Sequence, residues 1–259
     1  MLDSIQYLLG AGSGVLVGFI LGLVGGGGSI LAVPLMVYLV GVPNPHVAIG
    51  TSALAVAVNA ATGLANHARS GRVKWRCAAV FAASGVVGAF AGSTAGKSFD
   101  GERLLFLFAL VMVVVGALML RGRKREGDPS VILGRENAPK LVGYGAGVGL
   151  FSGFFGIGGG FLIVPGLVAA TRMPMINAVG SSLVAVTAFG LTTAANYALS
   201  GLVDWLLAAA FIAGGVAGGF LGARVAKRLS GTEGRLTTVF AVLIFAVAAY
   251  MLWKSAAAL

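Results

Sequence analysis

The chain has 259 residues, 58% of them hydrophobic and only 10% charged, with a mean hydropathy of +0.97. A soluble domain carries about 25% charged residues, so an integral membrane protein is expected and a water-soluble globule is excluded. The formal charge of +10 does not point to nucleic acid, because the basic residues cluster in short connections between apolar stretches.

In chain order, the first six residues lack a basic leader, so no cleavable signal is expected. The first apolar segment, residues 7–40, is cut by GLVGGGGSILAVP at 22–34. Each glycine costs a helix interior roughly 1 kcal/mol relative to alanine, so the segment is expected to break there. A broken backbone in a bilayer is tolerated only where protein buries it or where it lines a polar cavity. Crossings of about 20 residues are expected at 47–67, 77–96 and 104–120. A polar linker at 121–140 follows. The second half repeats the plan, with a segment at 141–170 cut by GFFGIGGGFLIVP at 153–165, then crossings at 178–198, 206–226 and 236–253. The expected organisation is a first membrane repeat (1–120), a basic cytoplasmic linker (121–140) and a second membrane repeat (141–259).

The halves match beyond the glycines. Pro34 and Pro43 stand 131 positions before Pro165 and Pro174. After a slip to 130, Gly50-Thr51-Ser52 aligns with Gly180-Ser181-Ser182, and Asn66 with Asn196. Rows of glycine four apart (14, 18, 22; 88, 92, 96; 145, 149, 153; 214, 218, 222) are read as close helix packing. If each broken segment dips in and returns on its own side, 15 Lys and Arg lie on one face against three, whereas single crossings leave 11 against seven. The positive-inside rule favours the first. The fold class expected is therefore an all-α polytopic membrane protein of two inverted repeats, each a glycine-broken helical hairpin plus three transmembrane helices. The second leg of the first hairpin, residues 29–40, reaches only ~18 Å, which would bring the tips together near the membrane centre.

Interrupted segments at matching places in two halves point to a transporter's binding site. Without side chains, Gly25, Gly26, Gly27 and Gly28 expose their amides, and the helix after Ser29 adds its positive end; Gly156, Gly158, Gly159 and Gly160 offer the same. This makes an anion site that needs no lysine or arginine. Thr51, Ser52, Ser181 and Ser182 are weighed evenly between lining the cavity and bonding back to their own helices. Asn66 and Asn196 are candidates for which helix packing is the favoured reading. Asn59, Thr62, Thr187 and Thr192 are weaker cavity candidates, and His67 is read as interfacial. All eight acidic residues lie in loops or at their edges, so a carboxylate proton relay is unsupported. No metal and no cofactor is expected. The single Cys77 excludes an intrachain disulfide.

The Gly-x-x-Gly-x-Gly-Gly runs at Gly22 and Gly153, the Gly-(Thr/Ser)-Ser triplets and the Asn-x-x-x-x-Gly-x-Val-x-Trp turns (Asn66 to Trp75, Asn196 to Trp205) resemble the sulfite exporter TauE/SafE family. The resemblance covers about residues 12–253. It implies a prokaryotic inner-membrane permease for small anions such as sulfite, sulfoacetate and related organosulfur compounds, with export as the expected direction. The expected partners are a small anionic substrate and the lipid bilayer, not nucleic acid; self-association is left open. Uptake, or channel-like conductance of other small anions, is the alternative within transport. An intramembrane enzyme or a receptor is the alternative outside it.

Overall fold

The computed structural model describes residues 3–24, 26–121, 131–228 and 233–256; Gly25 and residues 122–130 of the expected linker lie outside them. Among the described residues the regular structure is entirely helical. The first half contains α1 (Ser4–Val24), a 3-10 helix (Gly26–Leu31), a single α turn α2 (Ala32–Pro34), a π turn (Leu35–Leu39), α3 (Pro45–Arg69), α4 (Trp75–Lys97) and α5 (Gly101–Arg121). The second contains α6 (Ala138–Phe155), α7 (Gly160–Thr171), α8 (Met175–Ala198), α9 (Trp205–Arg228) and α10 (Glu233–Ala256).

Among the described residues, six helical stretches are long and apolar enough to cross a membrane, and five of them (in α3, α4, α5, α8 and α9) fall on expected crossings. The sixth expected crossing lies in α10, whose described apolar part is Ala241–Lys254. The remaining stretch is Ser4–Leu23 of α1, the first leg of the first hairpin, which is itself of crossing length. Large apolar side chains such as Leu8, Val87, Val114 and Leu206 stand exposed on the outer surface, as a lipid-facing belt requires. This is a multi-pass membrane protein.

Local chemistry sets the helix ends. Asn44 caps α3, its side-chain oxygen accepting the His46 N–H, with Pro45 in the first turn where no donor is needed. Gly71 and Gly201, at φ +67° and +70°, end α3 and α8 alike. Each donates back into its helix, and the next residue donates to His67 or Tyr197. The two hairpins differ in their return legs. The first passes through 3-10, α and π geometry around Pro34, whereas the second is the continuous α7 with Pro165 inside it. The first hairpin closes on itself: the Gln6 side-chain amide at the start of α1 donates to the carbonyls of Val40 and Gly41, at 3.0 and 3.3 Å.

The halves are interlocked. α1 packs against α9 of the other half, and α6 against α4, while α3 meets α8 and α5 meets α10. The glycine rows lie in the two exchanged interfaces. A Cβ at Gly14 or Gly18 would fall on the carbonyl oxygen of Phe211 or Gly215, and one at Gly214, Gly218 or Gly222 on that of Ala11, Val15 or Phe19. Gly88 and Gly92 face Ala146 and Leu150 in the same way, and Gly149 and Gly153 face Gly85 and Ala89. The four rows thus pair off across the halves as the two sides of the α1–α9 contact and of the α4–α6 contact. Lipid offers no hydrophobic drive for helix association, so this backbone-to-backbone packing is a principal source of cohesion.

The equivalent helices α3 and α8 run antiparallel. Ser181, near the start of α8, meets Lys74 just beyond the end of α3, and Thr51, near the start of α3, meets Asp204 just beyond the end of α8.

Two glycines one turn-half apart on α1 separate packing from propensity. Gly14→Val drives its Cβ into the Phe211 carbonyl, while a Cβ at Gly12 meets nothing within 4 Å among the described residues. Overpacking costs about 1–3 kcal/mol or more, so Gly14→Val should lower unfolding stability in detergent by at least that amount. Gly12→Val should leave it nearly unchanged.

Candidate functional site

The second glycine tip has the clearer geometry. Gly156 ends α6 at φ +67°, where a Cβ would collide with Ile49 of α3. Gly158 and Gly159 follow at φ +63° and +64°, so three glycines within four residues occupy the left-handed region that β-carbons disfavour. A Cβ at Gly158 would stand 3.1 Å from Val56 and 3.4 Å from Val186. These two valines are equivalent positions of α3 and α8, so the tip rests where that helix pair crosses.

Gly160 then opens α7, a helix of 12 residues. Leu162 and Ile163 both donate to the Gly159 carbonyl, and the first N–H groups of α7 lie at its positive end, facing the tip. Beside them Ser152 is wholly buried and its hydroxyl is unpartnered. That oxygen lies 2.7 Å from where a Gly159 Cβ would stand. A buried polar group without a partner costs about 1–3 kcal/mol, so this hydroxyl calls for an occupant.

At the first tip, Gly26 and Gly27 lie in the 3-10 helix, while Gly25 falls outside the described residues. Gly28 is buried against α1, its missing Cβ 2.6 Å from the Leu21 nitrogen, and Ser29 is buried beside it. The 3-10 helix of the first hairpin contacts α7 of the second and also α8. The two hairpins therefore meet at the α3–α8 pair.

The hydroxyl triplets have a task that the sequence did not reveal. Thr51 accepts the Asp204 N–H at 2.9 Å, and Ser181 accepts the Lys74 N–H at 2.9 Å. Gly50 makes room for the Leu202 carbonyl, and Gly180 lies against the Arg72 carbonyl. Each Gly-(Thr/Ser)-Ser triplet thus seats the Gly-x-Val-x-Trp turn of the opposite half. Ser52 and Ser182 donate to Ile49 and Val179 of their own helices, at 3.0 and 2.8 Å. Thr187 and Thr192 bond back in the same manner.

Asn196 ties α8 to α4. Its amide nitrogen donates to Ser93 and Thr94, and its two oxygens accept from Lys97, which also donates to Ser200. Asn66, its equivalent, is exposed and borders a cavity of about 50 Å³ between α1, α3 and α9. Leu21 and Gly22, just before the first tip, line this cavity together with Asn59, Thr62 and His67 of α3. His67, read from sequence as interfacial, also lines this cavity. Asn59 is one of the weaker cavity candidates in the sequence, and Ser152 enters there only as the serine that the intramembrane-enzyme alternative would need. The signal that marks both is a departure from the internal repeat: Asn59 and Ser152 stand where the other half has Phe189 and Leu21.

An all-helical, multi-pass architecture whose broken hairpins meet beside a polar cavity defines a membrane transporter. Residues 10–251 match the family model described as sulfite exporter TauE/SafE, and the chain belongs to that family. It is 55% identical over 252 residues to a "probable membrane transporter protein" of Xylella fastidiosa (strain Temecula1), covering 96% of this chain and 95% of that one. Identity is 27% over 237 residues to the Bacillus subtilis "probable membrane transporter protein YunE", with 83% and 87% coverage. No solved structure matches.

The seating of the turns is open to test. Thr51→Val keeps the side chain's shape but strands the Asp204 N–H, and should cost about 1–3 kcal/mol in unfolding measurements. Thr51→Ser keeps the acceptor and should recover most of that loss.

Proposed function

We propose that the protein is a carrier that exports a compact sulfur oxyanion or a small sulfonate across the prokaryotic inner membrane, working by alternating access between two inverted repeats. The observation that carries this reading is the second tip. Gly158 and Gly159, both in the left-handed region, lead into the positive end of α7 against the buried, unpartnered hydroxyl of Ser152. A helix start with free donors stabilises an anion without a full positive charge. The solute is then held without being trapped, as a carrier requires. A negative cell interior favours outward movement by about 2.3 kcal/mol per charge per 100 mV, so export needs no coupling carboxylate.

The antiparallel α3–α8 pair, the exchanged α1–α9 and α6–α4 contacts and the self-closing first hairpin support the inverted reading. In that arrangement the turns after α3 and α8 face opposite sides of the membrane. With Cys77 replaced by serine, single cysteines at Ser70 and Ser200 should be labelled by an impermeant maleimide from opposite faces. Labelling of both from one face would reject the inverted topology.

Flux into proteoliposomes, comparing sulfite, sulfoacetate, thiosulfate and sulfate with and without an imposed voltage, should show saturable, voltage-sensitive movement and counterflow. Ser152→Ala should lower that flux about tenfold, the scale of one lost hydrogen bond of ~1.4 kcal/mol. Conductance without counterflow would mark a channel, and inward accumulation an uptake system.

A further inference from the structure

The cavity beside the first tip contains a polar group for which the fold has no use. Asn59 is 3% exposed, lines the cavity, and has neither its side-chain nitrogen nor its oxygen bonded to any described residue. Both ends of the amide are free, so the conclusion does not depend on which way it is flipped. α9 is shaped around it: Gly215 stands where any Cβ would fall on the Asn59 amide.

The opposite half performs the same packing with an apolar residue. Phe189 occupies the position equivalent to Asn59, and Gly85, equivalent to Gly215, makes room for its ring. Phe189 stacks on Phe81 with ring centroids 6.2 Å apart. Further along α8, Asn196 is bonded to Ser93, Thr94 and Lys97, whereas its counterpart Asn66 stands exposed at the rim of the cavity. One side of the molecule is plugged with an aromatic ring, and the other keeps an empty polar niche of about 50 Å³. In the other half an apolar residue fills the equivalent place, so the packing of the repeat does not by itself call for an asparagine here.

Resting on the transport reading above, we propose that Asn59 is the residue that selects the substrate, and that it takes a singly charged, protonated oxyanion. An amide offers donors from its nitrogen and an acceptor at its oxygen. A ligand that satisfies both ends carries an acceptor oxygen and an O–H, as a hydrogen-oxyanion does. A fully deprotonated dianion would leave the Asn59 oxygen facing like charge. No lysine or arginine lines the cavity among the described residues; His67 is the titratable group in its lining, and His67→Gln run beside the wild type separates its protonation from that of the solute.

The test compares wild type, Asn59→Leu and Asn59→Asp for sulfite flux into proteoliposomes and for thermal stability in detergent. Wild-type flux is expected to be several-fold faster in mildly acidic buffer, where the hydrogen-bearing monoanion prevails, than in alkaline buffer. Sulfate should be carried poorly at both. Asn59→Leu should lose at least tenfold of the acidic flux while its stability stays level or rises, because it removes an unpaired buried amide. Asn59→Asp should abolish flux by placing a negative charge against the anion. Undiminished flux in Asn59→Leu overturns the assignment, as does a loss of flux accompanied by a marked loss of stability, which would make Asn59 structural. Equal transport of monoanion and dianion overturns the ligand class. A wild type that moves none of the anions overturns the carrier reading itself, an outcome distinct from a normal wild type with an unaffected variant.

Discussion

Backbone-to-backbone contact between the two halves is the constraint on which the rest of the structure depends. Lipid is as apolar as leucine, so helices in a bilayer gain little from hiding apolar side chains in one another. α1 and α6 gain instead by lying directly on the carbonyls of α9 and α4, an approach that only glycine rows permit. Because each of these legs belongs to one half and docks on the other, the halves cannot form separately packed bundles. The hairpin tips are delivered to the centre as a consequence: a leg fixed along α9 or α4 leaves its glycine end at the α3–α8 crossing.

The duplicated motifs answer one another across that crossing. The triplet at the start of α3 accepts the turn after α8, and the triplet at the start of α8 accepts the turn after α3. Two motifs that look independent along the chain are the two halves of one joint, repeated twice. This joint anchors the ends of α3 and α8, while the tips and the cavity lie between those ends. Two of the buried polar groups without partners stand where one half departs from the other. Ser152 replaces Leu21 at one tip, and Asn59 replaces Phe189 beside the other. A transporter with two similar halves has one solute to hold, so its binding chemistry need not be symmetric even where its scaffold is.

Hydropathy and glycine clustering by themselves determined the membrane class, the internal repeat, five of the six crossing helices now seen and the location of the breaks. These follow from local quantities, since crossing length is counted in residues and a glycine run weakens a helix wherever it lies. The sequence also placed the glycine rows correctly as packing surfaces. Only the tertiary structure decided which rows face one another, that Thr51 and Ser181 seat distant turns, and that Asn196 is tied to Lys97 while Asn66 opens on a cavity. Each of these depends on positions far apart in the chain, 58 residues for Gly88 and Ala146 and 153 for Thr51 and Asp204, brought together by helix crossing, and no local pattern encodes a crossing. Whether a polar residue is satisfied is likewise a property of its neighbours. Asn59 and Ser152 look unremarkable in the chain, and only the packed fold leaves them buried with nothing to hold.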